Sequence, residues 1–265
     1  MRLKMFRLDA FTDRVFRGNP AAVVPLKEWL DDAVMQNIAM ENNLSETAFF
    51  VPERSAFHLR WFTPSAEVPL CGHATLATAH VILGILYPSR RSVRFHTLGG
   101  DLTVTRKGDL LKMDFPRFVP QRCDEPANLA EGLGVRPKEV WNTREDHHYY
   151  AIFESAREVR AMAPKMDLLE RLHPYQVAVS APGGDTEDFV SRFFAPSIGI
   201  PEDPVTGSMH CALIPYWANR LGKSKLFSRQ VSNREGEIFC EDVPADGRVR
   251  ISGRVALSLS GYLHL

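Results

Sequence analysis

The sequence predicts an α+β fold of two similar lobes, each a β-barrel-like curled sheet around a central apolar helix, the two related by a pseudo-twofold axis. Three observations lead there. A strand, loop and helix start occur twice: Arg60-Trp61-Phe62-Thr63-Pro64 is matched by Arg192-Phe193-Phe194-Ala195-Pro196, and Gly72-His73-Ala74-Thr75 by Gly207-Ser208-Met209-His210. The arginines stand 132 residues apart and the glycines 135, so the second loop is three residues longer, and this is no short-period solenoid. The helix after the first loop, Ala74 to Leu83, is apolar nearly all round and must be buried on every side. The remaining pattern is mostly strand, without the βαβ alternation of a doubly wound sheet.

Taken in order, residues 3–11 alternate as a strand, and Arg17-Gly18-Asn19-Pro20 turns into a second strand over Ala21–Val24. Trp29 to Asp32 opens a helix with Val34 and Ile38 on one face, ending near Glu41-Asn42-Asn43. Leu44–Val51 and Phe57–Phe62 read as strands, followed by the first loop and a helix from His73 to Leu86, with Gly84 as its C′ residue. Strands follow at 92–97, 101–106 and 110–115, the last two joined as a hairpin at Lys107-Gly108. The proline-rich and charged stretch 116–126 puts a lobe boundary near residue 118, giving lobes 1–118 and 119–265, with the C-terminal strand able to cross back and join the first.

The second half opens with short helices at 127–132 and 137–141, then strands at 149–153 and 176–180 around a helix at 167–172. After the second loop comes a helix from Ser208, ended by Leu221-Gly222, and then antiparallel strands at 226–232, 237–241, 248–252 and 254–264.

Composition narrows the function. Lys plus Arg and Asp plus Glu number 32 each, so the chain has no electrostatic reason to seek nucleic acid or an anionic membrane. Cysteines 71, 123, 211 and 240 are scattered without a Cys-x-x-Cys pair, which points to a reducing, cytoplasmic setting and away from disulfides. The charged first nine residues do not read as a signal peptide, and the apolar run 74–87 is too short to span a bilayer. Cys71-Gly72-His73, His147-His148 and His210-Cys211 lack zinc-site spacing, and no glycine-rich phosphate loop is present, so neither metal nor cofactor is expected.

What is left is proton chemistry on a small carboxylate. Each loop delivers a glycine to a helix N-terminus, where unpaired amides and the helix dipole favour an anion; with the lobes facing each other, both termini reach one cleft. Thr206 or Ser208 as a plain N-cap is the bland alternative. Glu46, between Ser45 and Thr47 in an otherwise apolar strand, is the first candidate for a general acid/base, with burial raising its pKa; a solvent-facing strand glutamate is the alternative. His73 could donate to the substrate, and Asp203 is either a surface carboxylate or a partner of His73. Cys71, just before a helix N-terminus, is placed for a lowered thiol pKa, but the second loop has no cysteine before Gly207 to make a two-thiol racemase.

At these residues the chain resembles the phenazine-biosynthesis PhzF-like family. The resemblance lies in Gly18-Asn19-Pro20-Ala21-Ala22-Val23, Asn43-Leu44-Ser45-Glu46-Thr47-Ala48-Phe49, Arg60 to Pro64 with Glu67-Val68 and Leu70 to Thr75, and Ser191 to Pro196 through Glu202 to Ser208. Met209 stands where a smaller residue is the family habit. The resemblance implies the diaminopimelate-epimerase-like fold, a homodimer, and a proton moved by Glu46 with help from His73, Asp203 and Ser208, while amides around Gly72 and Gly207 hold a carboxylate beside Ser45. In the best-known member the reaction is isomerisation of a dihydro-hydroxyanthranilate. The expectation is a cofactor-independent isomerase of a small unsaturated or cyclic carboxylate; a racemase or epimerase, or a catalytically silent ligand-binding protein, are the alternatives.

Overall fold

A computed structural model describes residues 1–143 and 145–265. The chain divides into two units, Met1–Asp114 with Ser252–Leu265, and Phe115–Ile251.

The first unit begins with β1 (Arg2–Ala10), β2 (Asn19–Pro25), α1 (Asp32–Asn42), β3 (Glu46–Pro52) and β4 (Phe57–Phe62). It continues through β5 (Glu67–Val68), α2 (Gly72–His80), β6 (Ser92–His96), β7 (Leu102–Lys107) and β8 (Leu110–Pro116). β1 lies antiparallel between β2 and the C-terminal strand Val255–His264. β2 and β3 run parallel, with Ala21 opposite Glu46, because α1 carries the chain back between them as a crossover must. Its apolar side, Met35, Ile38 and Ala39, packs with Val24, Phe49 and Phe62 on the outer face of that sheet.

The inner face of the same sheet wraps α2. Every residue from His73 to Ala79 is buried, and the helix packs on β1, β2, β3 and the C-terminal strand. Alanine and threonine at most of its positions let strands approach on all sides. The helix does not end at Gly84: Val81–Leu86 continues it as wider π-helical turns, and Gly84 sits against the His80 ring. Gly18 carries a turn only glycine can make. Its φ is +62°, and a Cβ there would meet the Ala10 carbonyl oxygen at 2.1 Å; the turn sets Asn19, fully buried, at the head of β2.

The second unit runs β9 (Gln121–Arg122), α3 (Leu129–Leu133), β10 (Glu139–Asn142), β11 (His148–Ile152), α4 (Ala156–Ala161), α5 (Met166–Glu170), β12 (Gln176–Pro182) and β13 (Phe189–Phe194). Then come α6 (His210–Leu221), β14 (Lys225–Gln230), β15 (Gly236–Val243) and β16 (Arg248–Gly253). The arrangement parallels the first unit: α3, α4 and α5 cover one face of the β11–β13 sheet through Leu133, Val159 and Leu169. On the other face α6 packs against β14 and β15, its Trp217 stacked on Phe189 and donating to Ser180 Oγ at 2.9 Å. Gly222 caps α6 in the left-handed conformation, as its position in the sequence requires.

Two local expectations fail. Where a helix is expected at 137–141, the chain forms β10 (Glu139–Asn142), because pairing with both β9 and β11 satisfies its backbone and overrides local propensity. A helix missing from the expectation, α4, begins at a capping box in which Ser155 and Glu158 serve each other's backbone amides. A parallel pairing on which the sequence reading was silent also appears, in β11–β12 and β13–β14, whereas β14 and β15 pair antiparallel as expected.

Candidate active site

In the first unit, three side chains converge at the start of α2. Glu46 opens β3, and its Oε2 lies 3.0 Å from His73 Nε2. His73 Nδ1 faces the Cys71 sulfur at 3.5 Å. The Glu46 side chain is 13% exposed and that of His73 8%. The Glu46–His73 approach lies off the axis of an aligned hydrogen bond, and neither atom has another protein partner; the contact acts through charge.

That charge reverses the sequence expectation for Glu46. Burial pushes its carboxyl up, but the positive His73 ring and the Cys71 thiol outweigh burial, so its pKa falls below the ordinary 4.5. Burial likewise opposes the charged form of His73, yet Cys71 and Glu46, facing its two nitrogens, hold it well above the ordinary 6.5. Both shifts favour the carboxylate–imidazolium form of the pair. Cys71 goes the other way from its expected activation: burial, with the Glu46 charge behind it, pushes the thiol up to about 11 and keeps it protonated.

The helix start supplies the anion-binding element. Thr75 N–H returns to the Cys71 carbonyl at 3.2 Å, and the Ala74 amide serves the Cys71 sulfur. The amides of Gly72 and His73 have no acceptor among the described residues, the condition under which a helix N-terminus takes a ligand oxygen. Ser45, just before Glu46, donates to Asn19 Oδ1 at 3.4 Å.

In the second unit the corresponding turn is tied differently. Asp203 donates its amide to the Phe193 carbonyl at 3.0 Å, and its Oδ2 accepts a 2.5 Å bond from Thr206 Oγ1. Gln230, fully buried on β14, accepts from the Thr206 amide at 2.7 Å and donates to the Asp203 carbonyl at 2.8 Å. Asp203 is therefore a fixed part of its own loop. Gly207 and Ser208 sit in the turn that leads into α6, their carbonyls accepting from His210 and Cys211. A Cβ on Gly207 would meet nothing within 4 Å, so the approach to its backbone is open. Ser208 is exposed, whereas Met209 is fully buried and belongs to the core rather than to a pocket. His210 is structural: Nδ1 donates to the Thr206 carbonyl at 2.8 Å, and burial draws its pKa down to about 4.

Two buttresses escaped the sequence reading. Arg60 grips Glu67 through Nε and a terminal nitrogen, both at 2.7 Å. Arg192 grips Glu202 in the same two-pronged way, at 2.7 and 3.0 Å. The duplicated Arg-x-Phe-x-Pro pattern was the signal, since a planar guanidinium so near a loop glutamate matches a bidentate pair.

Glu46, Cys71 and His73 are also ligand types whose donor atoms all lie within 4.8 Å of one another, the one such group among the described residues. With its proton in place, His73 has no lone pair to give a metal, so an ion would first have to displace that proton. No helix among the described residues is long and apolar enough to cross a membrane.

Residues 8–261 match the family model described as phenazine biosynthesis-like protein. An uncharacterized isomerase of Pseudomonas aeruginosa is 49% identical over 265 residues, covering 100% of both chains. The crystal structure of a PhzF-family phenazine biosynthesis protein from Enterococcus faecalis superposes with a TM-score of 0.96 at 42% identity, again over 100% of both chains. A probable proline racemase from Agrobacterium radiobacter, 13% identical, superposes with a TM-score of 0.62 over 99% of this chain and 92% of its own, which shows a shared fold.

Proposed function

The chain belongs to the phenazine biosynthesis-like family and is an isomerase, and from that premise we propose that Glu46 carries the proton it moves. The substrate in this reading is a small unsaturated or cyclic carboxylate. The observation that carries the proposal is the buried Glu46–His73 pair beside two amides without acceptors at the start of α2.

Each part has a chemical task. The Glu46 carboxylate, kept ionised by His73, takes a proton from a carbon activated by a neighbouring unsaturated or carboxylate group. The imidazolium holds the negative charge in place before transfer and, once Glu46 is protonated, keeps its acid strong enough to return the proton at another carbon. The Gly72 and His73 amides bind a ligand oxygen, with Ser45 lining the approach to Glu46; in its own unit the Gly207–Ser208 turn, positioned by Asp203 through Thr206, is proposed as a carboxylate-binding turn. No cofactor enters the reading. The resemblance to a homodimeric family makes two copies the expected assembly, which light scattering would check.

A two-base racemase gains no support. The residue before Gly207, where Cys71 stands before Gly72, is Thr206, and its hydroxyl is committed to Asp203. The test is solvent deuterium incorporation into 2,3-dihydro-3-hydroxyanthranilate and related unsaturated carboxylates. The isomerase reading requires incorporation at the new carbon by wild type and its loss in Glu46→Gln. Exchange into both enantiomers of proline or another amino acid would favour the epimerase instead, and no exchange with any probe would favour a silent binder.

A further inference from the structure

Past the end of α2 the first unit carries a basic hollow that the mechanism above does not use. Beyond the π-helical turns at Val81–Leu86, a cavity of about 320 Å³ is lined by Pro88, Ser89, Arg90, Arg91, Arg106 and Gly108. All six belong to the first unit. At about 1.5 Å of rise per residue, this end of the helix lies roughly 20 Å from Gly72, so the hollow is separate from the Glu46–His73 pair.

Three arginines and no acid line this space, and among the described residues none of the three has a carboxylate partner. Arg106 gives its terminal nitrogens to backbone, one to the Leu83 carbonyl and the other to the Pro88 carbonyl at 3.5 Å. Those bonds serve carbonyls at a helix end but leave the positive charge unmet. Arg90 lies over aromatic faces, 4.7 Å from the Tyr87 ring centre and 5.8 Å from that of Phe57, which hold the guanidinium without supplying a counter-charge. The Arg91 side chain and the Ser89 hydroxyl have no partner among the described residues. Asp109, the acid that follows the hairpin turn, accepts from Arg254 Nε at 2.5 Å, so its charge is already met.

Shape agrees with charge. Gly108 makes the β7–β8 turn at a φ of +64°, and a Cβ there would meet nothing within 4 Å, so a ligand can close on that backbone. Arg106 and Arg90, held by carbonyls and by rings, need little ordering when a ligand arrives. Guanidinium forks match the oxygens of a phosphate, and several such forks around one hollow suit a tetrahedral group with more acceptors than a carboxylate has. A second cavity, of about 460 Å³, shares Arg106 and Gly108 and continues to Asp13, His80 and Arg254. Its side chains are hydrogen-bonding groups, fit for the hydroxyls of a polar body.

We propose that Arg90, Arg91 and Arg106 bind the phosphate of a small phosphate monoester, whose hydroxyl-bearing remainder occupies the adjoining cavity. Three arginines around one hollow count for one phosphate, not for the run of phosphates along a nucleic acid.

Titration calorimetry of the full chain at low salt, with ribose 5-phosphate, inorganic phosphate and ribose as probes, tests it. Ribose 5-phosphate should bind, inorganic phosphate more weakly and ribose not at all, and the affinity should fall as sodium chloride is added. Arg91→Ala removes a side chain that holds nothing in the fold, so the melting temperature should stay near wild type while ribose 5-phosphate binding weakens by about tenfold or more. Arg91→Lys, which keeps the charge without the fork, should recover part of that loss. Ser89→Asp, which sets a carboxylate at the rim, repeats the comparison should Arg91→Ala fail to fold. The proposal is overturned by no binding of ribose 5-phosphate, by ribose or inorganic phosphate binding as tightly as the ester, or by a short oligothymidylate binding more tightly. Affinity unchanged in both Arg91→Ala and Ser89→Asp would place the phosphate elsewhere, the start of α2 included, and overturn it too.

Discussion

In the first unit Arg60 holds Glu67 seven residues along the chain; in the second Arg192 holds Glu202 ten residues along, and the three extra residues are those by which the second loop is longer. Past these matched clamps the turns diverge. The first leads to Cys71, His73 and Glu46, a buried ion pair with a protonated thiol behind it. The second leads to Asp203, Thr206 and Gln230, a closed hydrogen-bonded set with no opposed charge inside it. One scaffold thus presents a helix start twice, once beside a buried carboxylate–imidazole pair and once beside a turn fixed by side-chain hydrogen bonds.

The largest way to break the comparison is to remove the proton carrier. Glu46→Gln should lower turnover by about 10²–10⁴-fold with the fold intact, while Thr206→Val, on the other turn, should act mainly on substrate affinity. Equal losses of turnover from the two would erase the asymmetry. Next come the clamps. Arg192→Ala should cost about 3–5 kcal/mol in urea unfolding, as expected for breaking a buried pair, because its guanidinium also donates to the Val159 and Met162 carbonyls at 3.2 and 2.7 Å. Arg60→Ala should cost less, since its further partner, Asp32, is 74% exposed.

The pH dependence sharpens the contrast. Glu46, lowered from 4.5, stabilises the fold above that value and loses the contribution as pH falls through its folded pKa; His73, raised from 6.5, contributes below that value and loses it as pH rises through its folded pKa. Activity should follow the same window, flat between those limbs. His73→Asn removes the charge that offsets burial, so the acid limb of kcat/KM should move up. An unmoved limb would show that Glu46 does not depend on its neighbour.

Gly207→Val should weaken ligand binding with a stability change within about 0.5–1 kcal/mol, because its added side chain enters open space. The smallest effect belongs to Cys71→Ser: a thiol with a pKa of about 11 is not the working nucleophile, so turnover should stay near wild type and alkylation by iodoacetamide should be slow.

Much of this was legible in the residues. The repeat placed both helix starts, and the all-round apolar pattern of Ala74–Leu83 identified a helix wrapped by strands. Glu46 and His73 were singled out separately, but periodicity cannot say that a strand head and a helix start 27 residues apart meet at 3.0 Å. That contact decides the sign of the Glu46 shift, and reading burial alone gave the wrong direction. Cys71 was misread for the same reason: a helix N-terminus favours the thiolate, but full burial and a neighbouring carboxylate outweigh it. Gln230 gave only a weak signal, a polar residue in the inward register of Leu226 and Ser228 on β14.

The account turns on a carboxylate and an imidazolium sharing the start of α2 at neutral pH. Nitrogen-15 NMR of the His73 ring at pH 7.5 reads this directly. The expected spectrum has both ring nitrogens protonated in wild type, with loss of one proton in Glu46→Gln. A neutral His73 tautomer in wild type at that pH, unchanged by the substitution, would contradict it.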